Sequence, residues 1–478
     1  MSDDEEPRIR DQGVISYVGV LIDSAVSFIG LLFFSNTLGP SGIGDFYSIL
    51  SIISVVSFPA AGIGQAIQKR GSEHGDQPGR YLGAGLIIAV AYVALVSVVV
   101  GLVGTTGFGG FTTAQVVASL CVLTARVVFI LVNDSYRAHG KTGFAAVADN
   151  MLGITETIIQ TIFILIGFEV FGLLLGTAVA TGSAVVIHLS VTEVWPQSPS
   201  RETFQSLVTF AQWTTATTGL NTIYDRLPVL VLTAFSSSTI VGYYTAANRL
   251  LVLGSHVGGS LAPTLMVRAS GRKVDEAPKQ QLRDLRVTLR FVSIIAVPMA
   301  FGATVLSEEL ILILFGFSGG TALLTGLSVY HIVNTADTVT SAFVEGINQP
   351  EYAFRATIAA IGGRVIFIAI TFPFLGAVGV VASVVSSHLL RVGVLHVLLR
   401  MEIGSISPPI GAGYQLVAGS IMTGIIIGIT IYLKIESILP LTIVVSIGAI
   451  IYVTALIAID KQLRQIVVDI FQEIRLPL

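Results

Sequence analysis

The chain has one cysteine, Cys121, and only 12% of its residues are charged. A single thiol cannot form a disulfide framework or a cysteine-ligated metal site. In soluble domains, about a quarter of all residues are charged. With 53% hydrophobic residues and a mean hydropathy of +0.84, this composition excludes a water-soluble globular domain. The net charge is −3 and basic residues form no long patch, so we expect no nucleic-acid partner.

The hydrophobic residues are grouped in apolar segments of about 20 residues, the length that a helix needs to cross about 30 Å of hydrocarbon. We therefore predict an all-α, polytopic membrane protein with about fourteen transmembrane helices. The predicted helices cover residues 13–36, 43–68, 81–104, 113–133, 144–167, 170–190, 205–235, 240–267, 285–306, 321–345, 354–375, 378–400, 413–433 and 439–460.

A polar stretch at residues 195–201 interrupts this pattern after the sixth segment. It contains Pro196 and Pro199, and two prolines cannot continue a spanning helix. We predict a first lobe of six helices at 1–195 and a second at 196–402. Two extra helices and a C-terminal tail follow at 403–478.

The basic residues lie almost entirely in the connections on one side of the membrane that the predicted helices span. Short cytoplasmic loops retain Lys and Arg, whereas translocated loops do not. All but five of the 26 Lys and Arg residues lie on one side; the five are Lys434, on the other side, and four arginines within helices. We therefore expect a multi-pass protein of the plasma membrane with both termini in the cytoplasm.

Eight ionisable residues lie at membrane depth in this arrangement. They are Arg126, Arg226, Arg249 and Arg364, and the acids Asp23, Glu156, Asp225 and Asp337. An ionisable group near the bilayer centre costs at least about 2.5 kcal/mol, so it should face the interior of the bundle and usually a partner.

Counting residues from each connecting loop estimates the depth of these groups. Arg126 and Glu156 lie level with each other, as do Asp225 and Arg249. Asp337 and Arg364 differ by about one helical turn, which an Arg side chain can span. The sequence therefore predicts three acid–base pairs, with Arg226 beside the second.

Two interpretations of these pairs remain open. The charges can neutralise one another and hold helices in register, or the arginines can line a water-filled cavity and bind an anionic substrate, since guanidinium matches phosphate oxygens. The second is favoured for Arg226 and Arg249. Gln212 and Asn221 add support for a cavity, because they make the helix of Arg226 too polar for lipid contact on all faces.

Asp23 lies in the middle of the first helix, with no basic residue at equal depth. It is a candidate for binding a coupling proton or monovalent cation. A protonated acid that bonds to a helix backbone is an equally good interpretation. The histidines are too scattered for a metal cluster, and the glycines near residue 107 lack the strand and Lys of a phosphate loop. We predict no metal site and no cofactor.

Several short motifs resemble those of one protein family. They are LGP at 38–40, GDF at 44–46, GIGQAIQKR at 62–70, DRL at 225–227, VGYYTAANR at 241–249, NQP at 348–350 and GAVG at 376–379. Their order and spacing resemble the polysaccharide biosynthesis proteins of the flippase type, in the multidrug/oligosaccharidyl-lipid/polysaccharide exporter superfamily.

This resemblance implies two six-helix lobes arranged in a V, with alternating access to a central cavity. The implied cargo is an oligosaccharide linked to polyprenyl phosphate or pyrophosphate. It would move from the cytoplasmic to the outer leaflet, for surface polysaccharide or glycoprotein assembly. The basic cavity residues that meet the phosphate would be Arg226 and Arg249, then Arg126 and Arg364. We expect a monomer whose partners are this cargo, membrane lipids and a coupling proton or monovalent cation.

Two other functions compete with this one. An ion-coupled multidrug antiporter of the same superfamily would need an acidic or apolar cavity for cationic cargo, which four deep arginines oppose. A membrane glycan polymerase or ligase would carry its catalytic residues on a sizeable external loop. No outward connection here exceeds about 15 residues. We therefore do not expect an enzyme.

Overall fold

The computed structural model describes residues 5–73, 78–104, 112–191, 194–270, 278–404 and 410–465. Over these residues the chain is all-helical, as predicted. The helices are α1 Glu5–Val56, α2 Phe58–Glu73, α3 Pro78–Gly104, α4 Thr113–Ala138, α5 Thr142–Leu165, α6 Glu169–Val191, α7 Arg201–Phe235, α8 Ser238–Ser270, α9 Pro278–Phe291, α10 Ala296–Val305, α11 Ser307–Phe315, α12 Thr321–Gly346, α13 Pro350–Ile403, α14 Ile410–Tyr432 and α15 Ile438–Ile459.

Two long helices each join two of the predicted segments at a glycine. α1 changes direction at Gly39, where φ is 68°, and α13 does so at Gly376, where φ is 54°. A residue with a Cβ rarely adopts these angles. Thr371 Oγ1 donates to the Gly379 carbonyl at 2.8 Å, so the chain reverses at Gly376. α13 is thus a helical hairpin with a first leg at 350–375 and a second leg at 377–403.

Eight helices in the described part of the chain are long and apolar enough to cross a membrane. Two of these spans, Gly19–Val56 with 38 residues and Pro350–Met401 with 52, are much longer than the roughly 20 residues of one crossing. The glycines at 39 and 376 divide both of them. The molecule is a multi-pass membrane protein, and the count of fourteen crossings remains a prediction.

The chain divides into two compact units, Met1–Gly242 and Tyr243–Leu478. In the first unit α7 packs along α2, where Thr214 Oγ1 donates to the Gly62 carbonyl at 2.7 Å. A Cβ on Gly219 of α7 would lie 2.8 Å from the Phe58 ring. Small residues therefore let the two helices approach closely. The lobe boundaries at 195 and 402 remain predictions.

The last two helices belong to the second unit and are fixed there by polar contacts. Arg290 of α9 forms an ion pair with Asp460 at 2.5 Å. Gln415 of α14 donates to the Arg290 carbonyl and accepts from Ser293 Oγ, both at 2.7 Å. Because Asp460 is 2% exposed and Gln415 is equally buried, these bonds attach α14 and α15 firmly to the rest of the unit.

Two glycines bring the second half of α1 against the turn between α7 and α8. A Cβ on Gly44 would overlap the Ser238 carbonyl oxygen, and one on Gly242 would overlap the Pro40 carbonyl oxygen. The Ser238 hydroxyl also donates to the Asp45 carboxylate. Backbone therefore touches backbone at this point, and both glycines are required for steric reasons.

Replacing Gly44 by Val is expected to destabilise the protein by about 1–3 kcal/mol, because the new side chain forces backbone to move. The apparent melting temperature in detergent measures this effect. Gly101→Val is the matched control, since no atom lies within 4 Å of a Cβ built at Gly101 in the same unit. Equal melting temperatures of the two variants would refute the close approach at Gly44.

Candidate functional site

α7 exposes polar side chains at several points along its length. Gln212, Asn221, Asp225 and Arg226 are all exposed in a helix of 35 residues that contains Pro228. Lipid does not solvate amides or charges, so an exposed polar surface on a membrane helix must meet water or a polar ligand. We call these four exposed residues together the α7 polar surface; helical spacing puts Gln212 and Arg226 on one side of α7, and Asn221 and Asp225 on the other.

Arg126 of α4 joins the α7 polar surface to the interior of the first unit. Its guanidinium interacts electrostatically with Arg226 of α7 and with Glu156 of α5. The structure therefore brings the predicted pair of Arg126 and Glu156 together and adds Arg226. Asp225 precedes Arg226 on α7, so with it the group holds two cations and two anions.

Glu156 is held in place by neutral neighbours. Its carboxylate accepts hydrogen bonds from Thr177 Oγ1 at 2.7 Å and from Gln160 Nε2 at 3.0 Å. The Gln160 amide also donates to Thr177 Oγ1 at 3.0 Å. This network fixes the carboxylate between α5 and α6, so Glu156 can orient Arg126.

Asp23 lies where the first half of α1 packs on α5. A Cβ on Gly153 would overlap the Asp23 carboxylate, and Ser27 Oγ donates to Asp23 Oδ1 at 3.4 Å. The side chain is half-buried, so it is close to helix backbone but not sealed. Its role in ion coupling remains a prediction.

In the second unit, Asp337 of α12 is buried, with 1% exposure. Its direct partner is Arg391, whose Nη1 lies 2.7 Å from Asp337 Oδ2. Arg364 is also 1% exposed and is an electrostatic neighbour of Asp337. The predicted pair of Asp337 and Arg364 is thus close, but a second arginine makes the ion pair.

Arg364 binds two residues on the opposite leg of α13. Its Nε donates to Ser387 Oγ and its Nη2 to His388 Nδ1, each at 2.9 Å. To meet a phosphate, the guanidinium would have to leave these buried positions. Substrate binding by Arg364 remains a prediction that this geometry does not favour.

Arg249 of α8 is exposed in the second unit. Its predicted pairing with Asp225, a residue of the first unit, remains a prediction. The preceding residue, Asn248, has its Oδ1 3.2 Å from His331 Nε2, and Ser255 Oγ, further along α8, lies 2.7 Å from His331 Nδ1. These bonds fix α8 against α12 beside Arg249, which gives its side chain a rigid base.

The sequence did not reveal the role of Arg391 or of the histidines around it. The charge distribution places Arg391 on the cytoplasmic side, yet its side chain reaches buried Asp337. Counting from the helix ends would have found this pair, because Asp337 and Arg391 lie at similar distances from the ends of α12 and α13. The spacing of His388 and Arg391 also puts them on one helical face.

A groove in the second unit is lined almost entirely by apolar side chains. Its volume is ≈ 580 Å³, and α8, α10, α14 and α15 form its walls. Pro298, Gly302, Met422 and Tyr452 are among its lining residues. Sequence composition could not indicate this groove, because an apolar helix that lines a groove has the same composition as one that faces lipid.

Comparisons with known proteins agree with this fold. A family model described as "Polysaccharide biosynthesis protein" matches residues 55–318, which is more than half of the chain. The probable low-salt glycan biosynthesis flippase Agl15 of Haloferax volcanii is 23% identical over 448 residues, covering 92% of this chain and 93% of the relative. The probable flippase AglR of the same organism is 24% identical over 466 residues, covering 94% and 96%.

Solved structures show the same architecture. The lipid II flippase MurJ in an inward closed conformation matches with a TM-score of 0.78 at 15% identity, covering 94% of this chain and 99% of that chain. An inward-facing multidrug resistance transporter of the MATE family matches with a TM-score of 0.62 at 18% identity, covering 81% and 98%. The predicted superfamily fold is therefore confirmed.

Proposed function

The chain belongs to the polysaccharide biosynthesis protein family, and on that basis we propose that it is a flippase for a lipid-linked oligosaccharide. The cargo is a glycan joined to a polyprenyl phosphate or pyrophosphate. It moves from the cytoplasmic to the outer leaflet of the plasma membrane by alternating access. The relatives Agl15 and AglR of Haloferax volcanii are both named as probable flippases, which supports the same class of function.

The cationic residues on the α7 polar surface and on α8 are the observation that carries this proposal. Arg226 and Arg249 are exposed, and Arg126 adds positive charge next to Arg226. A phosphate-linked glycan must cross about 30 Å of hydrocarbon, so a polar, cationic surface has to replace water around its head. Guanidinium binds phosphate oxygens with two parallel hydrogen bonds. Gln212 and Asn221 supply donors and acceptors for sugar hydroxyls.

The apolar groove of the second unit is suited to the other end of the cargo. A polyprenyl tail is apolar, and it can pack into an apolar groove by van der Waals contacts. A groove of ≈ 580 Å³ with almost no polar lining offers such contacts to several isoprene units. A flippase for a free, water-soluble glycan would have no use for it.

The remaining parts of the proposal concern energy and orientation. Asp23 is the coupling site for a proton or a monovalent cation, and the protein acts as a monomer with both termini in the cytoplasm. A cationic drug is a poorer cargo for this chain, because Arg126, Arg226 and Arg249 would repel it. The multidrug antiporter therefore remains the second candidate.

Blocking the groove provides a test of the tail assignment. Gly302 lines the groove, and no atom lies within 4 Å of a Cβ built there, so the side chain of Gly302→Phe is expected to enter the groove and occupy part of it. In proteoliposomes, transfer of a fluorescent polyprenyl-phosphate hexose between leaflets should fall roughly tenfold, which corresponds to about 1.4 kcal/mol of lost binding. An analogue with a two-isoprene tail should be affected much less.

Gly428→Phe is the matched control. Gly428 also has no atom within 4 Å of a built Cβ but is not among the residues that line the groove. This variant should transport both lipids at the wild-type rate. Equal inhibition of the long and the short lipid by Gly302→Phe would show that the groove does not hold the tail.

A further inference from the structure

One end of the apolar groove carries positive charge. The groove follows α15 from Val445 to Ile457 and includes Leu463, in the segment at 460–465 that follows this helix. Lys461 lies two residues before Leu463 and Arg464 directly after it, and the side chains of both are exposed. The groove therefore leads from an apolar interior to two cations that a ligand can reach.

Asp460 holds the 460–465 segment in place. Its Oδ1 accepts hydrogen bonds from the backbone N–H of Gln462 at 2.9 Å and of Leu463 at 3.2 Å. The same oxygen forms the ion pair with Arg290 Nη2. The backbone N–H of Arg464 donates to the Asp460 carbonyl at 3.0 Å, so the segment begins as a helical turn. The carboxylate of Asp460 is thus occupied by Arg290 and by backbone.

α9 brings a further cation to the same place. Arg286 lies one helical turn before Arg290, on the same face of α9, and its side chain is exposed. Arg464 lies at the same interval of four residues from Asp460. Ile294, four residues after Arg290, lines the groove. The ion pair of Arg290 and Asp460 therefore joins two elements that each carry an exposed arginine and each lead into the groove.

The ion pair itself is a rigid centre for these cations. Asp460 is 2% exposed, and the Arg290 guanidinium carbon lies 5.9 Å from the centre of the Tyr414 ring and 5.7 Å from that of Phe291. Gln415 also binds the Arg290 carbonyl. A ligand that meets the surrounding cations does not have to order this part of the chain first, which favours binding.

The charges of α9 and of the 460–465 segment do not cancel. Their described side chains include five basic residues and two acids, Asp284 and Asp460, which leaves a net charge of +3. The basic residues are Arg283, Arg286, Arg290, Lys461 and Arg464. Of these five, Arg290 alone forms an ion pair with an acid of the described chain. The surface at this end of the groove therefore attracts an anion.

A lipid with one apolar chain and a phosphate at the end of that chain matches this arrangement. The groove is a single apolar cavity of ≈ 580 Å³. Arginine binds phosphate oxygens by paired hydrogen bonds, and lysine binds them as a point charge. A polyprenyl phosphate has this form. A bilayer phospholipid carries two chains instead of one, and free phosphate makes no use of the groove.

We propose that Arg286, Lys461 and Arg464 bind the phosphate of a polyprenyl-phosphate lipid whose tail lies in the apolar groove. This proposal rests on the flippase function proposed above. With the C-terminus in the cytoplasm, the site takes the lipid from the cytoplasmic leaflet. It is separate from the α7 polar surface, which belongs to the first unit. The lipid end of the cargo is thus recognised here before its head meets Arg226 and Arg249.

Binding of a fluorescent polyprenyl phosphate to the full chain in detergent tests the site. The measurements use a background that carries Arg226→Ala and Arg249→Ala, so that the other proposed phosphate contacts do not contribute. In this background Lys461→Gln/Arg464→Gln should weaken binding roughly tenfold or more, because charge-assisted hydrogen bonds to the phosphate are lost. Binding of the uncharged polyprenol, which has only the tail, should not change.

Arg355→Gln/Lys434→Gln in the same background is the matched control. Both side chains are exposed, and Lys434 lies in the connection between α14 and α15, at the other end of α15 from Asp460. The control removes the same charge and should leave the affinity for polyprenyl phosphate unchanged. Equal affinities of the control and of Lys461→Gln/Arg464→Gln would refute the site. Displacement of the probe by an equimolar two-chain anionic phospholipid would also refute it, since a bilayer lipid would then be the occupant.

A photoreactive polyprenyl phosphate, with the reactive group next to the phosphate, tests the location in the wild-type chain. It should label peptides from residues 283–294 and 457–465. Labelling confined to α7 and α8 would contradict the proposal. Neither test measures translocation. Cargo transfer with unchanged binding in Lys461→Gln/Arg464→Gln would refute this site alone, whereas intact binding without transfer by the wild type would refute the flippase function alone.

Discussion

Replacing Asp337 by Asn is expected to destabilise the protein by about 3–5 kcal/mol, because removal of one partner from a buried ion pair leaves the other charge uncompensated. Asp337 is 1% exposed and lies 2.7 Å from Arg391. Without the carboxylate, two arginines remain in the same buried cluster. The apparent melting temperature and the midpoint of denaturant unfolding in detergent measure the loss.

Two further variants show whether charge is the cause. Glu351→Gln breaks an ion pair of 3.4 Å with Arg355 on the exposed end of α13, where both side chains are more than half exposed. It should change stability by less than about 1 kcal/mol. The double variant Asp337→Asn/Arg391→Gln should recover part of the loss. If Asp337→Asn proves as stable as Glu351→Gln, the buried pair has no structural role.

The sequence was sufficient to predict the class of fold. Apolar segments of about 20 residues predict membrane helices by length alone, and the described helices cover the predicted segments apart from breaks at Ser57, inside the predicted helix 43–68, and at 292–295, inside the predicted helix 285–306. The gap predicted between residues 375 and 378 falls on Gly376, where α13 reverses. A glycine followed by small residues at a break between two apolar segments was the signal for this turn.

The arrangement of helices around one another was harder to predict. Residue periodicity shows that a face is buried but not which helix covers it, so the packing of α7 on α2 could not be foreseen. Depth counting assigned Arg364 to Asp337, whereas Arg391 makes the ion pair. Depth counting correctly placed Asp337 and Arg364 at similar depths in the membrane. It carries no information on how each helix is rotated about its axis, which decides which side chains meet.

Arg226 and Arg249 were predicted as cargo-binding residues from their type and depth, and both are exposed in the structure. Replacing either by Ala should lower the rate of transport roughly 10-fold to 100-fold, because a hydrogen bond to a charged group contributes about 1.5–3 kcal/mol. Lys in place of Arg should retain part of the activity, since it keeps the charge but not the bidentate geometry.

Arg355→Ala is the matched control for these variants. Arg355 is an exposed arginine of the second unit, and its nearest charged partner is Glu351 on the same face of α13. Its removal changes the net charge by the same amount without touching the proposed cargo surface. Transport by this variant should equal that of the wild type.

Leaflet-to-leaflet transfer of a labelled polyprenyl-phosphate glycan by the reconstituted protein tests the flippase proposal most directly. We predict that wild-type proteoliposomes transfer the lipid well above the rate of protein-free vesicles. Arg226→Ala and Arg249→Ala should fall to a tenth of that rate or less, while Arg355→Ala stays unchanged. Wild-type protein that transfers no more than empty vesicles, or Arg226 and Arg249 variants that match the wild type, would contradict the proposed function and its site.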